Sequence, residues 1–128
     1  MILGIGLDLC QIERIGRAIE RPHFLARVFA PAERERIEAA GEKRRAEIAA
    51  GLFAAKEAVA KALGTGFSGF GTADIEITPD DAGRPTCALH RGAADRLAAL
   101  CGMENTARVF VSITHENGMA AAVAVIEN

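Results

Sequence analysis

The segment IAAGLFAAKEAVAKALGTG, residues 48–66, carries the longest helical pattern in the chain. Its apolar residues recur at steps of three or four, as they do on one face of an α-helix. These residues are Ile48, Leu52, Ala55, Val59 and Leu63. The pattern extends back to about Glu42, and a glycine-rich stretch over residues 64–71 follows it. We therefore predict one long helix over residues 42–63 that ends at a flexible loop.

Shorter elements surround this helix. Residues 2–10 alternate as a strand, and Pro22 ends the helix that follows them. Further helices are predicted over residues 23–29, 30–40 and 92–101, and further strands over residues 74–78, 86–89, 107–114 and 119–126. An Asn-Gly turn joins the last two strands as a hairpin. The order predicts an α+β fold, with a mainly antiparallel sheet packed against the long helix, in one domain of residues 1–128.

Composition narrows the class of protein. The chain has 128 residues, half of them hydrophobic, and its net charge of −2 gives no general attraction to nucleic acid or to an anionic membrane. Its three cysteines have no CxxC spacing, which favours a reducing compartment over a disulfide framework. We see no signal peptide and no apolar run near the ~20 residues that span a bilayer. We therefore expect a compact cytoplasmic protein with no membrane segment.

A carboxylate interrupts the first strand. Alternation places Leu3, Ile5, Leu7 and Leu9 on one face, as in a buried strand, and Gly4, Gly6, Asp8 and Cys10 on the other. A charged Asp8 in an apolar strand is costly unless it is paired, hydrogen-bonded or bound to a metal. The glycines on its face leave room for a ligand or a backbone. Alternatively, Asp8 accepts hydrogen bonds from backbone amides of the helix that follows.

Two more positions carry possible chemistry. Glu57 and Lys61 lie off the apolar stripe of the long helix, which also fits an ordinary surface pair at i,i+4. His115 lies at the mouth of the last hairpin, where it is either functional or an ordinary solvated histidine. The cysteines and histidines lack the spacing of a zinc site.

The first helix carries a row of arginines. Arg14, Arg17 and Arg21 are spaced i, i+3 and i+7, so a continuous helix would present them as one basic stripe. Such a stripe is either a solvated surface or a docking surface for an acidic partner, since guanidinium groups bind carboxylates in a bidentate manner.

Three motifs occur together in the chain: GLDLCQIERI at residues 6–15, FAAKEAVAKALGTG at 53–66 and SITHENGMAAAVAVIE at 112–127. Together with GRP at 83–85, in this order, they resemble the holo-[acyl-carrier-protein] synthases, the small stand-alone class of 4′-phosphopantetheinyl transferases. The similarity covers nearly the whole chain, and the second motif is the most specific. The resemblance implies transfer of the phosphopantetheine arm of coenzyme A to a serine of apo-acyl carrier protein, in support of fatty acid biosynthesis.

The resemblance also implies roles for individual residues. Asp8 and Glu57 match the two acids that hold Mg²⁺, and Lys61 matches the lysine that stabilises the departing phosphate. The serine proton is taken either by a metal-bound water or by Glu57. The residues implied in coenzyme A binding are Lys56, Lys61, Gly64, Gly66 and His115. Arg14, Arg17 and Arg21 match the basic helix that meets the acidic carrier protein.

Two positions depart from the family pattern. Many relatives have an arginine, which helps to bind the 3′-phosphate of coenzyme A, where this chain has Leu52. That phosphate would then depend on Lys43, Arg44 or Arg45. Thr114 replaces a serine, a change from which we expect no effect. Family members of this length are typically homotrimers with each active site between two subunits, and the resemblance implies the same here.

Three other functions remain open at this point. A non-catalytic module could dock acidic carrier domains and would need neither Asp8 nor Glu57. A related transferase could act on peptidyl carrier domains. An unrelated Mg²⁺-dependent nucleotide hydrolase would need no protein acceptor.

Overall fold

The computed structural model describes residues 1–102 and 106–128. Its helices and strands follow the predicted order and lie within a few residues of the predicted bounds. They are β1 (Ile2–Gln11), α1 (Ile12–Ala18), α2 (Pro22–Val28), α3 (Pro31–Glu38), α4 (Glu42–Ala62), a 3₁₀-helix (Thr72–Asp74), β2 (Ile75–Pro79), β3 (Pro85–Leu89), α5 (Arg91–Cys101), β4 (Arg108–Glu116) and β5 (Met119–Glu127).

The strands form one sheet in the order β1-β5-β4-β3-β2, and every neighbouring pair is antiparallel. The β4–β5 hairpin turns at Asn117 and Gly118, which both have positive φ, as a two-residue type I′ turn requires. The predicted α+β class and antiparallel sheet are therefore confirmed.

Helix α4 packs on one face of the sheet, against β1, β5 and β4. The inward side chains of β5 are small or aliphatic and fully buried: Ala120, Ala122, Ala124 and Ile126. On β1, an added Cβ at Gly4 or Gly6 would lie 2.0 Å or 1.8 Å from a backbone carbonyl oxygen of α4. The glycines therefore admit the helix backbone. They do not keep an approach open for a ligand.

The apolar face of β1 is exposed, so the expectation that this row faces a core is wrong for a single chain. Ile5, Leu7 and Leu9 are each more than 60% exposed. The helix covers the glycine face because that face permits the closer approach. The result is an uncovered row of aliphatic side chains on the opposite face of the sheet.

Helix α1 is shorter than the basic stripe requires. It ends at Ala18, so Arg21 lies beyond it, as the residue that precedes α2, with its guanidinium 5.8 Å from the ring centre of Phe24. Arg14 and Arg17 remain on α1, and Arg17 pairs with Glu13. The prediction that all three arginines share one helix face is therefore wrong, although all three are exposed.

Neither a membrane-spanning helix nor a disulfide occurs in the part of the chain that the structure describes. None of its helices combines the length and hydrophobicity needed to cross a bilayer. Cys10, Cys87 and Cys101 are all free.

Candidate functional site

Asp8 on β1 lies against Lys61 on α4. The Nζ atom of Lys61 is 3.2 Å from Oδ1 of Asp8 and donates a second hydrogen bond, of 3.0 Å, to the carbonyl oxygen of Leu7. Gln11 precedes α1, and no side chain caps that helix. The alternative in which Asp8 caps the helix is therefore wrong, and its carboxylate instead faces α4.

Glu57 brings a second carboxylate to the same place. It is half-buried on α4, and burial, followed by the negative charge of Asp8, raises its pKa above 4.5. Lys61 and Arg14 act in the opposite direction. Because the ion pair of Lys61 is with Asp8, the alternative of a simple Glu57–Lys61 surface pair is wrong. The contact of β1 with α4 thus brings Asp8 to Glu57 and Lys61, from which it is far apart in sequence.

These two acids fit a hard divalent cation. Two like charges in a half-buried setting repel each other, and a bound cation removes that repulsion. In residues 1–102 and 106–128, no three side chains of the His, Cys, Asp or Glu type gather as a complete metal cage. Mg²⁺ does not need such a cage, because it binds one or two carboxylates and takes its other ligands from substrate phosphates and water. The donor set is therefore suited to a cation that binds together with a phosphate compound.

A separate cleft of about 180 Å³ contains His115. Its walls come from α3, α4 and the ends of β2, β3 and β4, and its floor is apolar; the lining includes Ile48, Gly51, Leu52, Pro79, Pro85 and Ile113. Arg36 and Arg44 line the same cleft as His115. Arg44 and His115 were predicted as binding residues. Arg36 was missed, because on sequence alone it is one of several charged residues of an exposed helix.

Two of the residues predicted to bind the 3′-phosphate, Arg45 and Lys43, do not line this cleft. Arg45 donates hydrogen bonds of 3.4 Å and 3.0 Å to the carbonyl oxygens of Glu38 and Ala40, so it binds the end of α3 and does not face the cleft. The structure therefore does not support Arg45 as a phosphate ligand. Lys43 is exposed on α4 and lines a neighbouring groove that His115 also reaches.

Lys56 is not available to a ligand, so the prediction that it binds a phosphate is wrong. Its side chain is fully buried, and its Nζ atom is 2.6 Å from Oε1 of Glu33 on α3. Burial lowers the pKa of Lys56, while the carboxylate of Glu33 opposes that shift. A lysine is expected at the surface unless a partner accompanies it into the core, and here the partner comes from another helix.

Gly64 and Gly66 form the turn that leaves α4. Both have positive φ, of 83° and 58°, a conformation that favours glycine. The Nε atom of Arg96 on α5 donates a 2.8 Å hydrogen bond to the carbonyl oxygen of Leu63 and so holds the start of this loop. The approach of a nucleotide to these glycines stays a prediction, as does the docking of a carrier protein on Arg14, Arg17 and Arg21.

Comparison with known proteins gives one consistent result. The family model of the 4′-phosphopantetheinyl transferase superfamily matches residues 4–117. A holo-[acyl-carrier-protein] synthase of Clostridium perfringens is 45% identical over 99% of this chain and 95% of its own length. One from Methylobacterium sp. (strain 4-46) is 49% identical, with the same coverage.

Solved structures agree. The holo-(acyl-carrier-protein) synthase of Bacillus anthracis, in complex with CoA (3′,5′-ADP), superimposes with a TM-score of 0.82 at 32% identity, covering 100% of this chain and 98% of that one. The Neisseria meningitidis synthase gives a TM-score of 0.84 at 32% identity, covering both chains completely.

Proposed function

The chain belongs to the 4′-phosphopantetheinyl transferase superfamily, and we propose that it is a Mg²⁺-dependent enzyme whose metal is held by Asp8 and Glu57. It transfers the 4′-phosphopantetheine group of coenzyme A to a serine of apo-acyl carrier protein and releases adenosine 3′,5′-bisphosphate. The observation that carries the metal proposal is the meeting of these two acids with Lys61 at the β1–α4 contact.

The reaction breaks the bond between the β-phosphorus of coenzyme A and the oxygen that bridges its diphosphate. The serine oxygen forms the new bond to that phosphorus, and its proton passes to a base, either a water molecule or Glu57. The bridging oxygen leaves with adenosine 3′,5′-bisphosphate. Mg²⁺, when bound, supplies positive charge that offsets the charge of the diphosphate. Asp8 and Glu57 orient the group that they hold. The ammonium of Lys61 is half-exposed and anchored at Asp8, so it is placed to bind a phosphate oxygen of the leaving group.

A mass measurement tests this function. The purified chain is incubated with coenzyme A, Mg²⁺ and apo-acyl carrier protein, and the carrier is weighed. We expect its mass to rise by one phosphopantetheine, and to stay unchanged when EDTA replaces Mg²⁺. A carrier that never gains mass contradicts the function. Gain on a peptidyl carrier domain only identifies the related transferase, and release of product without any acceptor identifies the hydrolase.

The cleft of Arg36, Arg44 and His115 suits the adenosine end of coenzyme A. Its apolar floor can accept a planar base, and the guanidinium of Arg36 at its rim can bind a phosphate. Arg44 can join it by exchanging its 3.2 Å ion pair with Glu47 for the phosphate. Leu52 is buried in the floor, so the positive charge has to come from the rim. We therefore assign the 3′-phosphate to Arg44 and Arg36.

Replacement of Arg36 tests this assignment. We expect Arg36→Ala to raise the KM for coenzyme A about tenfold, the effect of one charge-assisted hydrogen bond. The KM for dephospho-coenzyme A, which has no 3′-phosphate, should not change. Arg34→Ala is the matched control, because Arg34 lies on the same helix but does not line the cleft. An equal rise in KM for both compounds would contradict the assignment.

The exposed apolar row of β1 supports assembly. Ile2, Ile5, Leu7 and Leu9 form a continuous aliphatic face, of the kind that usually marks an interface. This row supports a homotrimer in which a neighbouring subunit completes each site.

Exposed positive charge on and after α1 suits an acidic partner. Arg14, Arg17 and Arg21 are exposed and offer positive charge to an acidic carrier protein, although not as one helical stripe. The free cysteines support a reducing compartment, so we place the enzyme in the cytoplasm. A holo-acyl carrier protein made there would serve fatty acid biosynthesis.

A further inference from the structure

Glu33 and Lys56 form an ion pair at the centre of the protein. Their residues are 1% and 0% exposed, and the Nζ–Oε1 distance is 2.6 Å. The ammonium also donates hydrogen bonds to two carbonyl oxygens, at 3.0 Å to Thr72 and more closely to Ile75. Lys56 therefore joins α4 to the 3₁₀-helix and to the start of β2.

The carboxylate of Glu33 is equally well satisfied. Its Oε1 accepts a 2.8 Å hydrogen bond from the backbone N–H of Ala30, which precedes α3. Its Oε2 accepts another, also of 2.8 Å, from the backbone N–H of Ile77 on β2. Each charged group of the pair thus contacts two or more backbone groups from different segments, and every donor of the ammonium has an acceptor.

Such a pair is a weak source of stability, because removing two charges from water offsets most of their attraction. An apolar pair of similar volume often stabilises a core as well or better. What charged groups add is direction, because each hydrogen bond fixes the distance and angle between the segments that it joins. The geometry around the pair therefore indicates which part of the molecule depends on it.

The segments joined by the pair are those that line the cleft of Arg36, Arg44 and His115. On α3, Arg36 follows Glu33 by one turn, and on α4, Leu52 precedes Lys56 by one turn. On β2, Pro79 lies two residues after Ile77. The ion pair therefore connects α3 and β2, which form two walls of the cleft, to α4, which contributes Leu52 to its floor.

We propose that Glu33 and Lys56 are positioning residues that hold α3 and β2 against α4 at the spacing needed by the adenosine 3′-phosphate end of coenzyme A. This inference rests on the proposed function, since it uses the assignment of that end to the cleft. It does not extend to the metal pair. Glu57 directly follows Lys56, but its meeting with Asp8 depends on the close packing of β1 on α4 at Gly4 and Gly6, where the nearest atoms belong to Ala62 and Ala58.

The test removes both charges at once, so that no buried charge is left alone. In Glu33→Gln/Lys56→Met, the amide oxygen still accepts one backbone hydrogen bond and the side-chain volumes are nearly kept. We expect the KM for coenzyme A and the Kd for adenosine 3′,5′-bisphosphate, measured by calorimetry, to rise roughly tenfold. The KM for the carrier protein should stay within about twofold of wild type, because Arg14, Arg17 and Arg21 lie outside the segments that the ion pair connects.

The control separates positioning from stability. Ile126→Val shortens a fully buried side chain on β5, away from the cleft, and should lower the melting temperature without changing either KM. If the double variant melts at a lower temperature but keeps the wild-type KM for coenzyme A, the pair is only structural and the inference is wrong. Equal increases in both KM values would also overturn it.

If the double variant does not fold, Glu33→Gln/Lys56→Gln is used, since it also leaves no buried charge alone and its second amide can donate a hydrogen bond to the carbonyl oxygen of Thr72 or Ile75. The same difference between the two KM values is expected, and if this second double variant keeps the wild-type KM for coenzyme A, the inference is wrong. If wild type itself adds no phosphopantetheine to any carrier, the proposed function fails independently of the ion pair.

Discussion

Glu57→Gln should reduce phosphopantetheine transfer by roughly a thousandfold or more, because it removes one of the two carboxylates that we propose hold the metal. The amide keeps the size of the side chain but not its charge. Asp8→Asn should have a similar effect, for the same reason. The measurement is the rate at which apo-acyl carrier protein gains mass at saturating coenzyme A and Mg²⁺.

Glu42→Gln is the matched control, because Glu42 is an acid in the first turn of the same helix, far from the metal pair. It should keep the wild-type rate. A Glu57→Gln enzyme that retains more than about a tenth of the wild-type rate would show that Glu57 does not hold the metal.

Glu57→Gln should also stabilise the protein in the absence of metal. The pKa of Glu57 is raised above 4.5 in the folded chain, chiefly by burial, so folding favours the protonated form. This favourable contribution is complete below about pH 4.5 and is lost as the pH rises through the folded-state pKa. In EDTA, the melting temperature of Glu57→Gln should therefore exceed that of wild type increasingly between about pH 4.5 and 7. An unchanged difference over this range would contradict the raised pKa.

We expect Gly6→Ala to lower the stability of the protein more than any other glycine-to-alanine change in the sheet. An added Cβ would lie 1.8 Å from the carbonyl oxygen of Ala58 and 2.7 Å from its carbonyl carbon, both backbone atoms of α4. Because a helix backbone cannot rotate away as a side chain can, β1 and α4 would have to separate. We expect a loss of more than about 3 kcal/mol, a large fraction of the stability of a typical domain.

Thermal unfolding followed by circular dichroism, at one protein concentration, measures this loss. Gly71→Ala is the matched control, since an added Cβ there meets nothing within 4 Å and its φ is −105°. It should change the stability by less than about 1 kcal/mol. A Gly6→Ala protein as stable as this control would mean that the helix and strand are not in the close contact described.

The order and approximate bounds of the helices and strands were predictable because the periodicity of nearby residues determines them. The helical spacing over residues 42–63 and the alternation over residues 2–10 each lead to the observed element, and the Asn-Gly turn predicts its hairpin. The partnership of Asp8 and Glu57 followed from the resemblance to a family. From spacing alone, Asp8 could also bind backbone amides of the following helix, and Glu57 could also form a surface pair with Lys61.

The predictions that were wrong concern which surfaces pack together in the folded chain. Alternation divides β1 into two faces but does not say which one a helix covers, and hydrophobicity favoured the face that is exposed in the single chain. Lys56 was assigned to a phosphate because nothing near it in sequence shows that Glu33 enters the core beside it. Arg36 was missed for the same kind of reason, since only the folded chain brings α3 to the rim of the cleft.

The two faces of β1 have a consequence for changes in chain length. Asp8 and the glycines that admit α4 occupy alternate positions, and the aliphatic row occupies the positions between them. Deleting or inserting one residue within this strand would exchange the two rows, because side chains alternate with a period of two. A leucine would then point at the helix backbone, and a carboxylate would point to the exposed face of the sheet. Between Gly4 and Cys10, the strand therefore cannot change its length by a single residue without losing both surfaces.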